Sequence, residues 1–113
     1  MTSVWTERRV DDVLIIDIVG GLTVGKQELR EQFTEVYERG EKNILVNLAA
    51  VTYMDSTSVG DLIVAHLQAK ENDASFKLLN MNERIIELLT MHHLIQVFEH
   101  YDDEDTAIAS FAG

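Results

Sequence analysis

Asn47-Leu48-Ala49-Ala50-Val51-Thr52-Tyr53-Met54-Asp55-Ser56-Thr57-Ser58-Val59-Gly60 joins an apolar stretch to a run of hydroxyls, and the reading of that junction decides the fold. Upstream, Asn43-Ile44-Leu45-Val46-Asn47-Leu48-Ala49 is short and apolar on both faces, as a strand covered on both sides must be. Downstream, Val59, Leu62, Ile63 and Leu67 recur at helical spacing, the inner face of a helix reaching about Asn72. Val51 to Ser58 therefore reads as the loop between strand and helix, which sets its hydroxyls at a helix N-terminus. Ser, Thr and Asp satisfy the free N–H groups of such an end. Ser58 with Asp61 three residues on fits a capping box.

Outward from this junction, strands and helices alternate. Val4 to Val10 alternates in polarity as an edge strand does, Asp11-Asp12 supplies a tight turn, and Val13 to Val19 completes a hairpin. Gly20-Gly21 ends that strand. Leu29, Phe33, Val36 and Tyr37 form one helical stripe, with Gly40 at the C-cap position. After the central helix, Phe76 to Leu79 reads as a strand. Asn80 with Glu83 resembles a capping box for a helix carrying Ile85, Ile86, Leu88 and Leu89. Leu94 to Phe98 reads as a last short strand. Asp102 to Phe111 reads as a terminal helix whose acidic first turn suits the positive end of the helix dipole. The order β-β-α-β-α-β-α-β-α predicts an α/β fold with a mixed sheet of four or five strands and helices mainly on one face.

Composition narrows the function classes. The 113 residues suffice for one domain and one core, and 46% apolar with 26% charged residues is ordinary for a globular chain. Proline is absent, the glycines are scattered, and no linker or repeat is visible, so residues 1–113 read as a single domain. A formal charge of −11 repels phosphate backbones and anionic membrane surfaces, so neither nucleic acid nor a membrane is an expected direct partner. With no cysteine there is no disulfide, no thiolate metal site and no cysteine nucleophile. Met1 to Glu7 lacks the basic start and apolar run of a signal peptide, and no stretch has 18 consecutive apolar residues. The expected compartment is cytoplasmic.

Capping accounts for the hydroxyl run on structural grounds alone. A second reading is compatible with it. Phosphate on Ser56 would add about −1.5 to −2 charges beside Asp55. Free N–H groups and the helix dipole can hold such a charge at a helix N-terminus. The loop would change sharply in charge while the core stayed as it was.

Asp55-Ser56-Thr57-Ser58-Val59-Gly60 resembles the Asp-Ser-Ser-Gly-Leu/Ile-Gly signature of STAS domains, the family of bacterial anti-sigma factor antagonists. The apolar strand Ile44 to Leu48 leads into it in the family manner. Phe76-Lys77-Leu78-Leu79-Asn80-Met81-Asn82 with Ile85, Leu88 and Leu89 is similar to the family's fourth strand and third helix. Gly20-Gly21-Leu22-Thr23 resembles its glycine-led loop before the first helix. The resemblance implies a STAS fold over the whole chain and a regulatory binding protein rather than an enzyme, with no cofactor and no metal. It implies that Ser56 is phosphorylated by an anti-sigma factor acting as an ATP-dependent serine kinase. It also implies that the unphosphorylated form sequesters that partner and so frees a sigma factor, and that a phosphatase resets the switch. A monomer or weak dimer is expected. The family usually has glycine where this chain has Ser58, which adds a third hydroxyl. Thr57 and Ser58 are thus the alternative acceptors, and Asp55, Ser56, Thr57, Ser58, Gly60 and Asp61 the expected docking surface.

Other readings fit some of the same residues. A STAS scaffold subunit of a stress-signalling assembly fits the same signature. A small serine hydrolase using Ser56, His66 and Asp55 has the residue types but lacks Gly-x-Ser-x-Gly. His92-His93 are adjacent, and neighbours on a helix point about 100° apart, which suits a helix end better than a metal. Glu99, Asp102, Asp103, Glu104 and Asp105 lack the spacing of an EF-hand and read as a solvated helix start.

Overall fold

The computed structural model describes residues 4–22 and 28–112. Nine elements follow one another as β1 (Val4–Val10), β2 (Val13–Leu22), α1 (Glu28–Glu38), β3 (Asn43–Met54), α2 (Ser56–Glu71), β4 (Ser75–Leu79), α3 (Glu83–Met91), β5 (Glu99–Tyr101) and α4 (Glu104–Ser110). The order of element types is the one read from the sequence. Met1 to Ser3, and Thr23 of the glycine-led segment, lie outside the described residues.

The five strands lie in one sheet in sequence order. β1 pairs antiparallel with β2 through the turn at Asp11, whose φ is 53°. β2, β3, β4 and β5 are mutually parallel. Each parallel crossover steps one strand in the same direction. Because such crossovers share one hand, their helices fall on one side of the sheet. Accordingly α1, α2 and α3 cover one face, where Leu14, Ile16, Ile18, Ile44, Val46, Leu48, Phe76 and Leu78 meet Phe33, Leu62, Ile85 and Leu89. The opposite face holds a smaller cluster, Val13, Ile15, Leu45 and Leu79, covered by Ala107 of α4. Alternate residues of β2 and β3 point to the two faces, which explains why these strands are apolar throughout.

Several local readings are corrected. Gly20-Gly21 does not end β2. The strand continues to Leu22, opposite Met54, through register shifts at Asp17/Val19 and Gly20/Gly21, and Gly20 takes φ 104°, which only glycine adopts readily. Val51 to Ser58 is not a loop. β3 runs on through Thr52 and Tyr53, β-branched and aromatic residues that suit a pleated strand, to Met54. Leu67 is exposed and Ile86 largely so, because the inner faces of α2 and α3 are narrower than their apolar composition. Asn80 does not cap α3. It takes φ 59°, and Asn82 is the N-cap, its side chain accepting from the Ile85 N–H. Leu94 to Phe98 is no strand. His93 takes φ 59° after α3, and the run turns so that Phe98 is buried against Phe76; β5 is the polar Glu99–Tyr101. No helix among the described residues is long and apolar enough to cross a membrane.

Candidate functional site

Met54, buried at the end of β3, delivers the chain to Asp55, the only residue between strand and helix. Asp55 is extended (φ −98°, ψ 176°) and is the N-cap of α2: its Oδ1 accepts from the Ser58 N–H at 2.9 Å and its carbonyl from the Val59 N–H at 3.1 Å. The capping box expected of Ser58 and Asp61 is therefore absent, and the cap lies three residues earlier. This fixes the three hydroxyls on the first turn. Successive residues rotate about 100° around a helix axis, so Ser56 and Thr57 are exposed while Ser58 turns inward and is only 4% exposed. Ser58 stands within the first helical turn, where φ is negative, so the glycine usual in the family at this position is not demanded here by backbone geometry.

Val59 and Leu62 are buried in the main core and hold this first turn against the sheet. Asp61, expected on the docking surface, is 6% exposed; its Oδ1 accepts from Arg30 Nε of α1 at 3.1 Å. It joins two helices, as do the Gln68–Thr34 hydrogen bond at 3.0 Å and the Tyr37 hydroxyl on the Ala65 carbonyl at 2.7 Å. Burial drives the Tyr37 hydroxyl's pKa well above its ordinary value. Gly60 is half-buried, and a Cβ built on it would meet nothing within 4 Å. The chain's own packing does not require glycine there.

His66 cannot serve Ser56. Ten residues on along α2, it lies about 15 Å away at 1.5 Å per residue. It packs edge-on against Phe98 at 5.6 Å between ring centroids. Burial, with Lys70 nearby, lowers its pKa against the opposing pull of Glu99. Asp55, the third member of that set, is engaged in capping. Four of the remaining candidates have structural roles. His92 caps the C-terminus of α3, Glu99 pairs with Lys77 at 3.1 Å, and Asp103 caps α4 through the Thr106 N–H at 2.9 Å. Glu104 pairs with Arg8 at 2.6 Å. Among the described residues no three His, Asp or Glu side chains converge as a metal site would require.

The geometry thus presents two exposed hydroxyls on the first turn of a capped helix whose inner side is packed into the main core. Sequence reading missed the Arg30–Asp61 pair and a groove beside the site, between the end of β3 and α3, lined by Tyr53, Ile85, Leu88 and Met91 among others. The signal for the groove was present in exposed-length side chains such as Met91, but not in their spacing.

Comparison with known proteins identifies the family and the fold. An anti-sigma-B factor antagonist of Staphylococcus epidermidis is 39% identical over 77 residues, 66% of this chain and 70% of that protein. One of Staphylococcus aureus is 42% identical over 59 residues, 51% of this chain and 54% of that protein. The fold is shared with an anti-sigma factor antagonist from Mycobacterium paratuberculosis, with TM-score 0.87, 14% identity and coverage of 99% and 96% of the two chains. It is also shared with the antagonist SpoIIAA in its unphosphorylated form, with TM-score 0.74, 21% identity and coverage of 97% and 99%. The family model described as STAS domain matches residues 5–107, nearly the whole length, and the chain belongs to the STAS domain family.

Proposed function

We propose that this chain is an anti-sigma factor antagonist: a cytoplasmic binding module, not an enzyme, switched by phosphorylation of Ser56. The observation that carries the reading is the exposure of Ser56 at the first position of α2, directly after the capping Asp55, while Ser58 is buried. A kinase can reach this hydroxyl without unfolding the helix. Thr57 is the neighbouring alternative; Ser58 is out of reach. The partner is an anti-sigma factor that is itself the serine kinase. The unphosphorylated antagonist holds that partner and so frees a sigma factor, and a phosphatase restores the binding form.

The physical basis is local. A phosphate brings about −1.5 to −2 charges to a turn where Asp55 already carries one. The helix end tolerates the added dianion, through its dipole and N–H groups. A partner surface matched to a neutral hydroxyl does not tolerate it, because a desolvated like charge or an unpaired phosphate costs several kcal/mol at an interface. The domain therefore keeps its fold and loses its partner. Incubation with the cognate kinase and ATP, followed by intact and peptide mass spectrometry, tests the assignment. One phosphate on Ser56, absent in Ser56→Ala, is the expected result. Unchanged phosphate uptake by Ser56→Ala would refute it.

A further inference from the structure

Asp61 stands on α2 four residues after Thr57, and side chains at that spacing share one side of a helix, with Cβ atoms about 5–6 Å apart. Asp61 turns inward and is 6% exposed, so its carboxylate does not face a docking partner. Its cation does. Arg30 of α1 donates from Nε to Asp61 Oδ1 at 3.1 Å, and the arginine side chain is 44% exposed. That contact uses one edge of the guanidinium. Among the described residues, Nη1 and Nη2 have no hydrogen-bond partner. The guanidinium therefore lies beside Thr57 on the flank of the first turn of α2, with an open pair of donors.

The surroundings hold it there. Farther along, α1 and α2 are tied by the Gln68–Thr34 hydrogen bond and by the Tyr37 hydroxyl on the Ala65 carbonyl, which fixes the backbone that carries Arg30. A buried carboxylate that loses its cation is left as an uncompensated charge, so Asp61 keeps Arg30 in place. The chain has 20 acidic and 9 basic residues, so most of its surface repels a carboxylate on a partner. An open guanidinium fork beside the first turn receives one, with two parallel N–H donors. One attractive point in a repelling field fixes the register of docking.

We infer that Arg30 is a contact residue for the anti-sigma factor, receiving a carboxylate of that partner on Nη1 and Nη2, and that Asp61 is the positioning residue that aims it. The inference rests on the proposed function. It puts Arg30 on the docking surface in place of Asp61 and reverses the sign of the charge presented there.

Calorimetric titration of the unphosphorylated full chain with the cognate anti-sigma factor tests it. Arg30→Ala should raise the dissociation constant about tenfold or more. Arg30→Lys keeps the charge without the fork and should also bind more weakly than the parent. Asp61→Ala should weaken binding, while Asp61→Asn, which retains an acceptor oxygen for Nε, should bind closer to the parent. Because Asp61 acts through Arg30, the double variant Arg30→Ala/Asp61→Ala should bind as Arg30→Ala does, with no further loss. The double variant leaves no unpaired buried charge, so it replaces Arg30→Ala in the test should that variant fail to fold. Circular dichroism and thermal melts establish which variants are folded. A pair that merely ties α1 to α2 would lower the melting temperature and leave the affinity of the folded variants unchanged, and that result would overturn the inference. So would a double variant in which the two losses add. A parent chain that does not bind the anti-sigma factor defeats the proposed function and the inference with it. A parent that binds, with Arg30→Ala binding equally well, defeats the inference alone.

Discussion

Three adjacent hydroxyls of similar chemistry differ sharply in what they can do, and one hydrogen bond decides it. With Asp55 as N-cap, Ser56 and Thr57 face solvent and Ser58 faces the core. Had Ser58 been the cap, as its spacing to Asp61 suggested, all three would have lain outside the helix. Sequence reading identified the cluster and ranked Ser56 first. It could not separate the three by burial, because Asp and Ser are about equally good caps and the choice depends on where β3 stops. Replacing Asp55 with Ala should cost about 1 kcal/mol of stability, the usual worth of a cap, read as a lower urea midpoint at unchanged m-value. No loss would contradict the capping role. Gly60→Ala should have the opposite sign. The space beyond Gly60 is open and its helix position gains about 0.5–1 kcal/mol from alanine. A more stable variant that binds its partner less well would show that Gly60 is kept for docking; a destabilised variant would contradict the open space.

Among the elements, β3 and α4 teach most. β3 is longer than expected because Tyr53 and Met54 pair with Gly21 and Leu22 of β2 beyond the register shift at Gly20/Gly21, which skips Thr52. The pairing is non-local and leaves no trace in a window of sequence. α4 was legible from its acidic start, but its seat on the sparsely covered sheet face was not. It is tied there by Arg8, which donates to Asp17 at 2.6 Å and to Glu104 at 2.6 Å, and by buried Lys77, which donates to Ser110 Oγ at 2.9 Å with the Phe111 ring 4.5 Å from its Nζ. The Arg8 hydrogen bond holds the Glu104 pKa below its ordinary value. At Asp17 burial alone would raise the pKa, but hydrogen bonds from Arg8 and Asn47 outweigh it and the net shift is downward. Carboxylates whose pKa is lower folded than unfolded add stability that is complete above the unfolded value. It is lost as pH falls through the folded one. The melting temperature should therefore drop as pH falls below about 4, where free carboxylates begin to protonate. Arg8→Ala should show a shallower decline than the parent over that interval. Parallel curves for the two proteins would contradict the clasp.

At the scale of the molecule, the two sheet faces divide the labour. The α1–α3 face carries the large core, in which Phe33 is fully buried and makes edge contacts with Trp5 at 5.0 Å and Phe76 at 5.5 Å between ring centroids. Phe33→Ala should cost about 3–5 kcal/mol, a large part of a small domain's stability, in equilibrium urea unfolding. A loss below about 1 kcal/mol would mean the aromatic cluster is not central to the core. The order of strands and helices, and the stripe of Leu29, Phe33, Val36 and Tyr37, were readable because they rest on local periodicity. The assignment of α4 to the second face was not, since it depends on pairings such as Arg8–Glu104 that span almost the whole chain. The same division explains how a charge can be added at the mouth of α2 without disturbing either core. The most direct test is calorimetric: the affinity of the cognate anti-sigma factor for this protein before and after phosphorylation at Ser56, with circular dichroism recorded on both forms. At least about a tenfold weakening, 1.4 kcal/mol or more, with superimposable spectra is the predicted result. Equal affinities, or a phosphorylated form that has lost its fold, would contradict the account.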